Sequence, residues 1–332
     1  MNAVAVLGAG SWGTALAGHL AGKGVHVRLW AYEPEVVEAV NGRHENPLYL
    51  PGSALPANLR AFADAAAAVR GAAVVLSVSP SHVTRRVLAP LGDAVAPDAL
   101  VVSATKGIEQ DSLALMHEVV AECLPGRGVA VLSGPSFAKE VAEGQPTAVV
   151  AASADPAAAT TTQALFAGRR FRVYSHHDVT GVELGGALKN VIAIAAGMLE
   201  GLGLGHNPRA ALITRGLAEM TRLGVAMGAD PLTFAGLAGM GDLILTCTGG
   251  LSRNRSLGEF IGRGGSAADW VREHRMVAEG ANTADAAVRL AARQGVELPI
   301  CAQVAAILRG EQRARDAVEN LMERDLKAEQ WR

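Results

Sequence analysis

The chain has 332 residues, more than one ordinary hydrophobic core holds, and two domains are predicted. With 50% hydrophobic and 19% charged residues it is globular rather than disordered, and a formal net charge of −2 excludes the basic excess of a general nucleic-acid binder. Three scattered cysteines, Cys123, Cys247 and Cys301, form no CxxC pair, so neither a zinc site nor a disulfide framework is indicated and reduced cytoplasmic thiols are expected.

The chain opens AVAVLGAGSWGTALAGHLAGKG. The run Ala3 to Leu7 has no basic segment before it and a glycine turn directly after it, so it reads as a first strand rather than a signal peptide. No apolar run approaches the ~20 residues that span a bilayer, and no membrane insertion is expected. Gly8-Ala9-Gly10-Ser11-Trp12-Gly13 then leads into a small-residue helix ending near Gly22. In such a turn Gly8 allows the tight bend, Gly10 lets backbone approach a diphosphate, and Gly13 lets helix and strand pack closely. The diphosphate would rest on the helix N-terminus. The pattern predicts a dinucleotide site, NAD or NADP.

The second strand, His26 to Trp30, ends in Ala31-Tyr32-Glu33. An acid about 20 residues beyond the glycines bonds the ribose 2′-hydroxyl in NAD-selective chains. Glu33 fits by position, and equally fits a first-turn residue of a helix opened by Pro34. No arginine sits in this loop to receive a 2′-phosphate, which leans towards NAD. Residues Asn41 to Asn58 hold three prolines and little periodicity, and read as a surface loop.

Strands alternating with helices follow: Leu59 to Phe62, Ala73 to Val78, Leu100 to Ser103, Val129 to Leu132, Thr147 to Ala152 and Phe171 to Ser175, with helices such as Ser81 to Leu91 and Ser112 to Leu124. This alternation predicts a doubly wound, mostly parallel sheet of the Rossmann type, whose ligands bind beyond the carboxyl ends of its strands. Lys106 and Ser136 fall at such ends. Lys106 is either loop decoration or a cation facing an anionic ligand, and Ser136 is either a ligand contact or a plain N-cap.

Beyond about Val179 helical periodicity takes over. The expected organisation is α/β: residues 1–178 bind dinucleotide, and 179–332 form an all-helical domain carrying the substrate chemistry. Helices are expected at Gly181 to Leu199, Asn207 to Gly228, Pro231 to Leu237, Asp242 to Cys247, Ser256 to Gly262, Thr283 to Gly295 and Gln303 to Arg309. No Pro/Gly linker marks the boundary, so the helix at Gly181 is expected to pack directly on the sheet. GVELGGALKNVIAIAAGML is apolar enough to be buried on most faces. Its Lys189 must snorkel, find a partner or shift its pKa. In GMGDLILTCTGGLSRNRSLG, Asp242 and Thr246 share one helix face, and Asp242 is the natural partner of Lys189. Ser252-Arg253-Asn254-Arg255 opens a further helix, either as a phosphate receptor or as a capped start with solvent-facing arginines. Arg275 to Gly280 reads as a loop that could touch the cofactor. The tail from Arg313 reads as a charged helix, and the histidines show no metal-ligand spacing.

A dinucleotide platform, a buried amine with a carboxylate and a phosphate receptor together imply hydride exchange with a small phosphorylated alcohol or ketone. Lys189 would carry the proton, with Lys106, Asn190 and Thr246 orienting the reacting oxygen. The segments GAGSWGTALA, SATKGIE, SGPSFAKEVAEGQPTA, ELGGALKNVIAIAAGM, ALITRGLAEM, GLAGMGDLILTCTGGLSRNR and VAEGANTA resemble, in order over nearly the whole chain, the bacterial NAD(P)-dependent glycerol-3-phosphate dehydrogenases. That resemblance implies interconversion of sn-glycerol 3-phosphate and dihydroxyacetone phosphate for phospholipid synthesis, no metal, and a homodimer. It implies Lys189 as proton acceptor and substrate contacts from Lys106, Gly134, Ser136, Asp242, Ser252, Arg253 and Asn254. It implies cofactor contacts from Ser11, Trp12, Lys106, Ala138, Arg253, Val277 and Glu279. Tyr32 stands where that family often has a basic residue, which leaves the choice of NAD or NADP open. The competing readings are a two-domain β-hydroxy acid dehydrogenase and a non-catalytic nicotinamide-sensing regulator.

Overall fold

The computed structural model describes residues 3–273, 278–326 and 328–329. Its strands are β1 Val4–Leu7, β2 Val27–Trp30, β3 Glu45–Asn46, β4 Leu50–Ala54, β5 Leu59–Phe62, β6 Val74–Ser77, β7 Leu100–Ser103, β8 Gly128–Ser133, β9 Thr147–Ala152 and β10 Phe171–His176. Eight of them form one sheet in the order β10-β9-β8-β7-β6-β1-β2-β5. The six from β5 to β8 are parallel; β9 runs antiparallel to β8, and β10 parallel to β9.

β1 is apolar throughout because both faces of the sheet are covered. Val4 and Val6 enter the core on one face, and Ala5 and Leu7 enter the core on the other, as the two-residue period of a strand requires. The chain winds outward from β1 through β2 to β5, then returns to place β6 on the other side of β1. The crevice between β1 and β6 is therefore the switch point where ligands bind in such sheets.

The second half is organised around the helix Val179–Gly201, in which every residue from Gly181 to Leu199 is buried. Asp178 caps its start, accepting from Gly181 N at 2.8 Å. Its first turns rest directly on the sheet, where Val182 joins Val131, Val150 and Ala152 in one apolar cluster. By length and composition this helix could cross a membrane, as could Pro231–Thr248, contrary to the expectation that no apolar run is long enough. Its burial is supplied by protein instead: the helices His206–Ala226, Asp242–Thr248, Arg253–Gly262, Glu279–Arg293 and Pro299–Leu308 surround it. Against Arg253–Gly262 the approach is backbone to backbone. A methyl group added at Gly197 would overlap the Arg255 carbonyl, and one at Gly258 would overlap the Ile194 carbonyl.

Several expectations are corrected. Asn41 to Asn58 is not simply a surface loop: Asn41 ends within the helix Pro34–Arg43, and β3 and β4 form a hairpin behind it. Asn46 there is fully buried, because its amide donates to Ala9 O and Thr14 Oγ1, both at 2.8 Å, and so supports the glycine turn. The helix expected from Ser112 begins only at Met116, since Leu113 adopts φ +65° and breaks the regular backbone. Pro231–Phe234 stops short of Leu237, where a π-helical turn, Leu237–Gly241, leads into Asp242. Glu279 and Gly280 open the helix Glu279–Arg293 instead of lying in a loop. The helix Ala267–Glu273 was not expected, and the described part of the tail is helical only over Ala314–Met322.

Candidate active site

The glycine turn has the shape its sequence implies. Gly8 sits at φ +122°, and a methyl group there would lie 2.9 Å from the Val78 carbonyl carbon, across the switch point. A methyl group at Gly13 would overlap Gly8 O, whereas Gly10 faces open space. No side chain caps the helix Ser11–Gly22, which suits an anion at its N-terminus. Trp12 Nε1 and Ser79 Oγ are buried with no hydrogen-bond partner among the described residues, polar atoms that a bound molecule could satisfy. A dinucleotide fits this cradle: the turn spares room where the ligand must approach and excludes it where the fold must close.

Glu33 is not a first-turn residue of the helix opened by Pro34. It is the residue before Pro34–Arg43, and its Oε1 accepts from Tyr49 Oη at 2.6 Å. Tyr32 is 82% exposed. Ala138 begins the helix Ala138–Ala142, close to the glycine helix. Val277 lies outside the described residues.

The chemistry gathers around Asp242. Lys189 Nζ donates to Asp242 Oδ1 and to Thr246 Oγ1, each at 2.7 Å. Lys106 Nζ, arriving from the end of β7, donates to Asp242 Oδ2 at 2.5 Å and to Gly134 O at 3.1 Å. Lys189 is 6% exposed and Asp242 1%, so the snorkelling alternative is not what the fold adopts. Burial drives the Lys189 amine down to about 8, with Asp242 pulling it up and Lys106 pushing it down. Burial raises the Asp242 carboxyl, but the two ammonium groups outweigh it and hold it below the usual carboxylate range. One anion thus serves two cations and stays ionised at neutral pH.

Asn190, the next residue on the helix, accepts at Oδ1 from Asn254 Nδ2 at 2.9 Å, while Asn254 Oδ1 accepts from Gly280 N at 2.9 Å. Ser252 caps Arg253–Gly262, accepting from Arg255 N at 3.2 Å. Arg255 turns inward to Glu200 and Gly249 O, so the arginine fork reduces to Arg253. Arg253 is exposed to solvent, yet enough protein surrounds its guanidinium that burial lowers its pKa, with Glu279 opposing. It makes no hydrogen bond or ion pair among the described residues, and Glu279 is its charged neighbour. Glu279 accepts from Ser81 Oγ at 2.9 Å, just beyond β6; burial pushes its carboxyl up to about 6 against the pull of Ser81 and Arg253. Ser136 donates to Gly134 O at 3.0 Å and does not cap the helix that follows, where Phe137 is the N-cap residue. Gly134 itself sits at φ +136°, its Cα side pressed against Val149.

Tyr49, Asn46 and Ser81 escaped the sequence reading. Each acts on a residue at least 16 positions away, and none belongs to a motif.

A dinucleotide cradle at the sheet's switch point, facing a buried lysine and carboxylate in a helical half, defines a two-domain NAD(P)-dependent oxidoreductase. Models of the N-terminal and C-terminal parts of NAD-dependent glycerol-3-phosphate dehydrogenase match residues 3–159 and 178–319. The glycerol-3-phosphate dehydrogenase (NAD(P)+) of Geobacter sulfurreducens is 57% identical over 331 residues, covering 99% of each chain. The crystal structure of glycerol-3-phosphate dehydrogenase from Coxiella burnetii superposes with a TM-score of 0.94 at 42% identity, covering 97% of this chain and 99% of that one. The yeast enzyme gives 0.82 at 30% identity, covering 97% and 99%. The chain belongs to the NAD-dependent glycerol-3-phosphate dehydrogenase family. A ketopantoate reductase from Ralstonia eutropha, 21% identical with a TM-score of 0.62, shares the fold alone.

Proposed function

We propose that the chain interconverts sn-glycerol 3-phosphate and dihydroxyacetone phosphate with NAD or NADP, providing glycerol 3-phosphate for phospholipid synthesis, and that Lys189 moves the proton. The observation that carries this reading is the Lys189 ammonium, buried and bonded to Asp242 and Thr246, with Lys106 brought beside it from the sheet. When bound, NAD or NADP would supply the hydride acceptor for oxidation of the substrate's central carbon and the hydride donor for reduction.

Oxidation frees a proton from the substrate hydroxyl, and neutral Lys189 Nζ takes it. Reduction places negative charge on the carbonyl oxygen, and protonated Lys189 neutralises it, general acid catalysis worth ~10²–10⁴. Asp242 holds Nζ in line, and Thr246 fixes its second direction. Lys106 and Asn190 would orient the reacting oxygen. Arg253, with Ser252 and Asn254 at the same helix start, would receive the phosphate, and Gly134 and Ser136 would add substrate contacts from the sheet side. Gly8, Gly10, Ser11, Trp12 and Gly13 would hold the diphosphate side of the cofactor, with Tyr32, Glu33, Ala138 and Glu279 along its length.

A β-hydroxy acid would present a single carboxylate and would not need the whole Ser252-Arg253-Asn254 group, which suits a phosphate dianion. NADH or NADPH consumption should depend on dihydroxyacetone phosphate and be far slower with unphosphorylated dihydroxyacetone; equal rates would reject the phosphate reading.

We further infer a domain boundary at 178/179, between β10 and the helix Val179–Gly201, a cytoplasmic location, and a homodimer. Val225 and Leu232, both exposed on helices that meet at Gly224 and Phe234, are candidate contacts for such a dimer. Sedimentation velocity should give twice the chain mass, and a monomer at micromolar concentration would reject it.

A further inference from the structure

The loop after β7 belongs by sequence to the sheet and by packing to the helices. Ile108, two residues beyond Lys106, is fully buried in the core of the helical half, together with Leu113 and Leu115. Gly107 between them lies at φ +157°, so close to the end of β6 that a methyl group would sit 2.5 Å from Ser81 Oγ. Leu113 holds a left-handed backbone at φ +65°, a conformation leucine keeps only where its surroundings enforce it. The loop closes on itself through Glu109 N to Ala114 O and Leu113 N to Glu109 O, both 3.0 Å. Arg85 grips Glu109 from the sheet side with two bonds of 2.8 Å. From the helical side Arg289 Nη1 donates to Gln110 O at 2.8 Å, and Gln110 Nε2 donates to Asn282 O at 3.2 Å.

The same segment runs along the helix that carries Lys189. His117 donates from its backbone N and pairs through Nδ1 with Glu183, at 2.9 and 2.6 Å. The Lys106 stem crosses the helix at Gly186, where a methyl group would be 3.5 Å from Lys106 Cγ. We propose that Ile108 and Leu113 are positioning residues: they root this loop in the helical core and thereby fix Lys106 against Asp242 beside Lys189. The inference rests on Lys189 as the proton-transfer group.

The charged and titratable groups facing Lys189 are Asp242 and Cys247 from the helix Asp242–Thr248, and Lys106 from this loop. Loosening Lys106 removes a neighbouring cation and leaves Asp242 to Lys189 alone. Both changes favour the protonated amine. Packing that served stability alone would leave the titration of Lys189 where it is.

The test uses the full chain as Ile108→Ala and Ile108→Val, with Lys189→Met assigning the Lys189 signal in a lysine side-chain NMR titration without cofactor. The pH profile of kcat for glycerol 3-phosphate oxidation is measured alongside. Ile108→Ala should raise the Lys189 titration and the acid limb of kcat together by about 0.5 to 1 pH unit. Its kcat should fall roughly tenfold with cofactor KM nearly unchanged, and Ile108→Val should restore both. Arg289→Met, at an exposed position, should shift the titration in the same direction by less. An unshifted Lys189 titration in folded Ile108→Ala overturns the proposal, as it does in Arg289→Met should Ile108→Ala not fold. Normal turnover by Lys189→Ala together with a shifted titration would instead remove the assigned role of Lys189 and leave the anchoring in place.

Discussion

Lys189 Nζ lies 2.7 Å from Asp242 Oδ1, a pair made by residues 53 positions apart on two helices of the same half. Replacing Lys189 by alanine removes the proposed proton carrier and leaves the glycine turn untouched. Lys189→Ala should lower kcat at least ~10²-fold with the cofactor dissociation constant nearly unchanged. Steady-state rates and a binding titration check it, and near-normal turnover would remove Lys189 from the mechanism.

The direction of the reaction sets the sign of its pH dependence. With the amine at about 8, oxidation requires the neutral form and should rise as pH passes through that value, whereas reduction uses the ammonium and should decline. Asp242→Asn removes the anion that favours the ammonium and leaves Lys106 facing it. The acid limb of oxidation should therefore move to lower pH while kcat falls. A limb displaced upward would contradict the assigned partnership.

Arg253 makes no hydrogen bond or ion pair among the described residues, and its substitution removes from Glu279 only a charge that acts at a distance. Arg253→Ala should chiefly raise KM for glycerol 3-phosphate, by about 10- to 100-fold for a lost charge-assisted contact. Kinetics with an unphosphorylated analogue provide the comparison: an equal loss there would count against a phosphate role.

Tyr49 holds the Glu33 carboxylate, and Tyr32 beside it is exposed. A carboxylate fixed at the end of β2 repels a 2′-phosphate and suits a 2′-hydroxyl. Tyr32→Arg combined with Glu33→Gln should shift the ratio of kcat/KM towards NADPH, and Tyr49→Phe should shift it in the same direction by less. An unchanged ratio in all of them would mean this corner does not read the 2′ position.

Glu219 is buried and accepts from Ile300 N at 2.6 Å and Cys301 N at 3.2 Å at the start of Pro299–Leu308. Burial pushes its carboxyl up to about 7, against the pull of those two amides. Between the ordinary carboxylate range and pH 7 the folded chain keeps a proton that the unfolded chain has released, so stability declines as pH rises through that window. The loss amounts to roughly 3 kcal/mol for this group. Glu219→Gln keeps an acceptor for the amides and cannot titrate. Thermal unfolding between pH 5 and 8 should show a shallower decline in Glu219→Gln than in the wild type; parallel curves would reject the assignment.

Much of this architecture was legible where its cause is local. Gly8, Gly10 and Gly13 declare a turn by spacing, and each parallel strand is a short apolar run because both its faces are covered. Lys189 stood out because an amine in so apolar a helix demands a partner, and Asp242 was the acid offered by another apolar segment. What stayed hidden depends on chain segments meeting across long separations. Asn46 lies in what reads as a surface loop until the hairpin brings it beneath Ala9, and nothing local to Ile108 tells which half it packs with. Ser252 showed the opposite difficulty: a cap and a ligand contact demand the same residue type, and its Oγ, which accepts from Arg255 N, keeps a hydroxyl hydrogen to donate.

The contact of Gly197 with Arg255 and of Gly258 with Ile194 leaves no atom's width between the two helices. The span between Lys189 and Arg253, the proposed proton carrier and phosphate receiver, is therefore written in main chain, beyond adjustment by side-chain drift. A lineage adapting this scaffold to a longer or shorter substrate could not slide one rod along the other. It would have to exchange the few side chains at the opening of the second helix, and variation in chain-length preference should concentrate there.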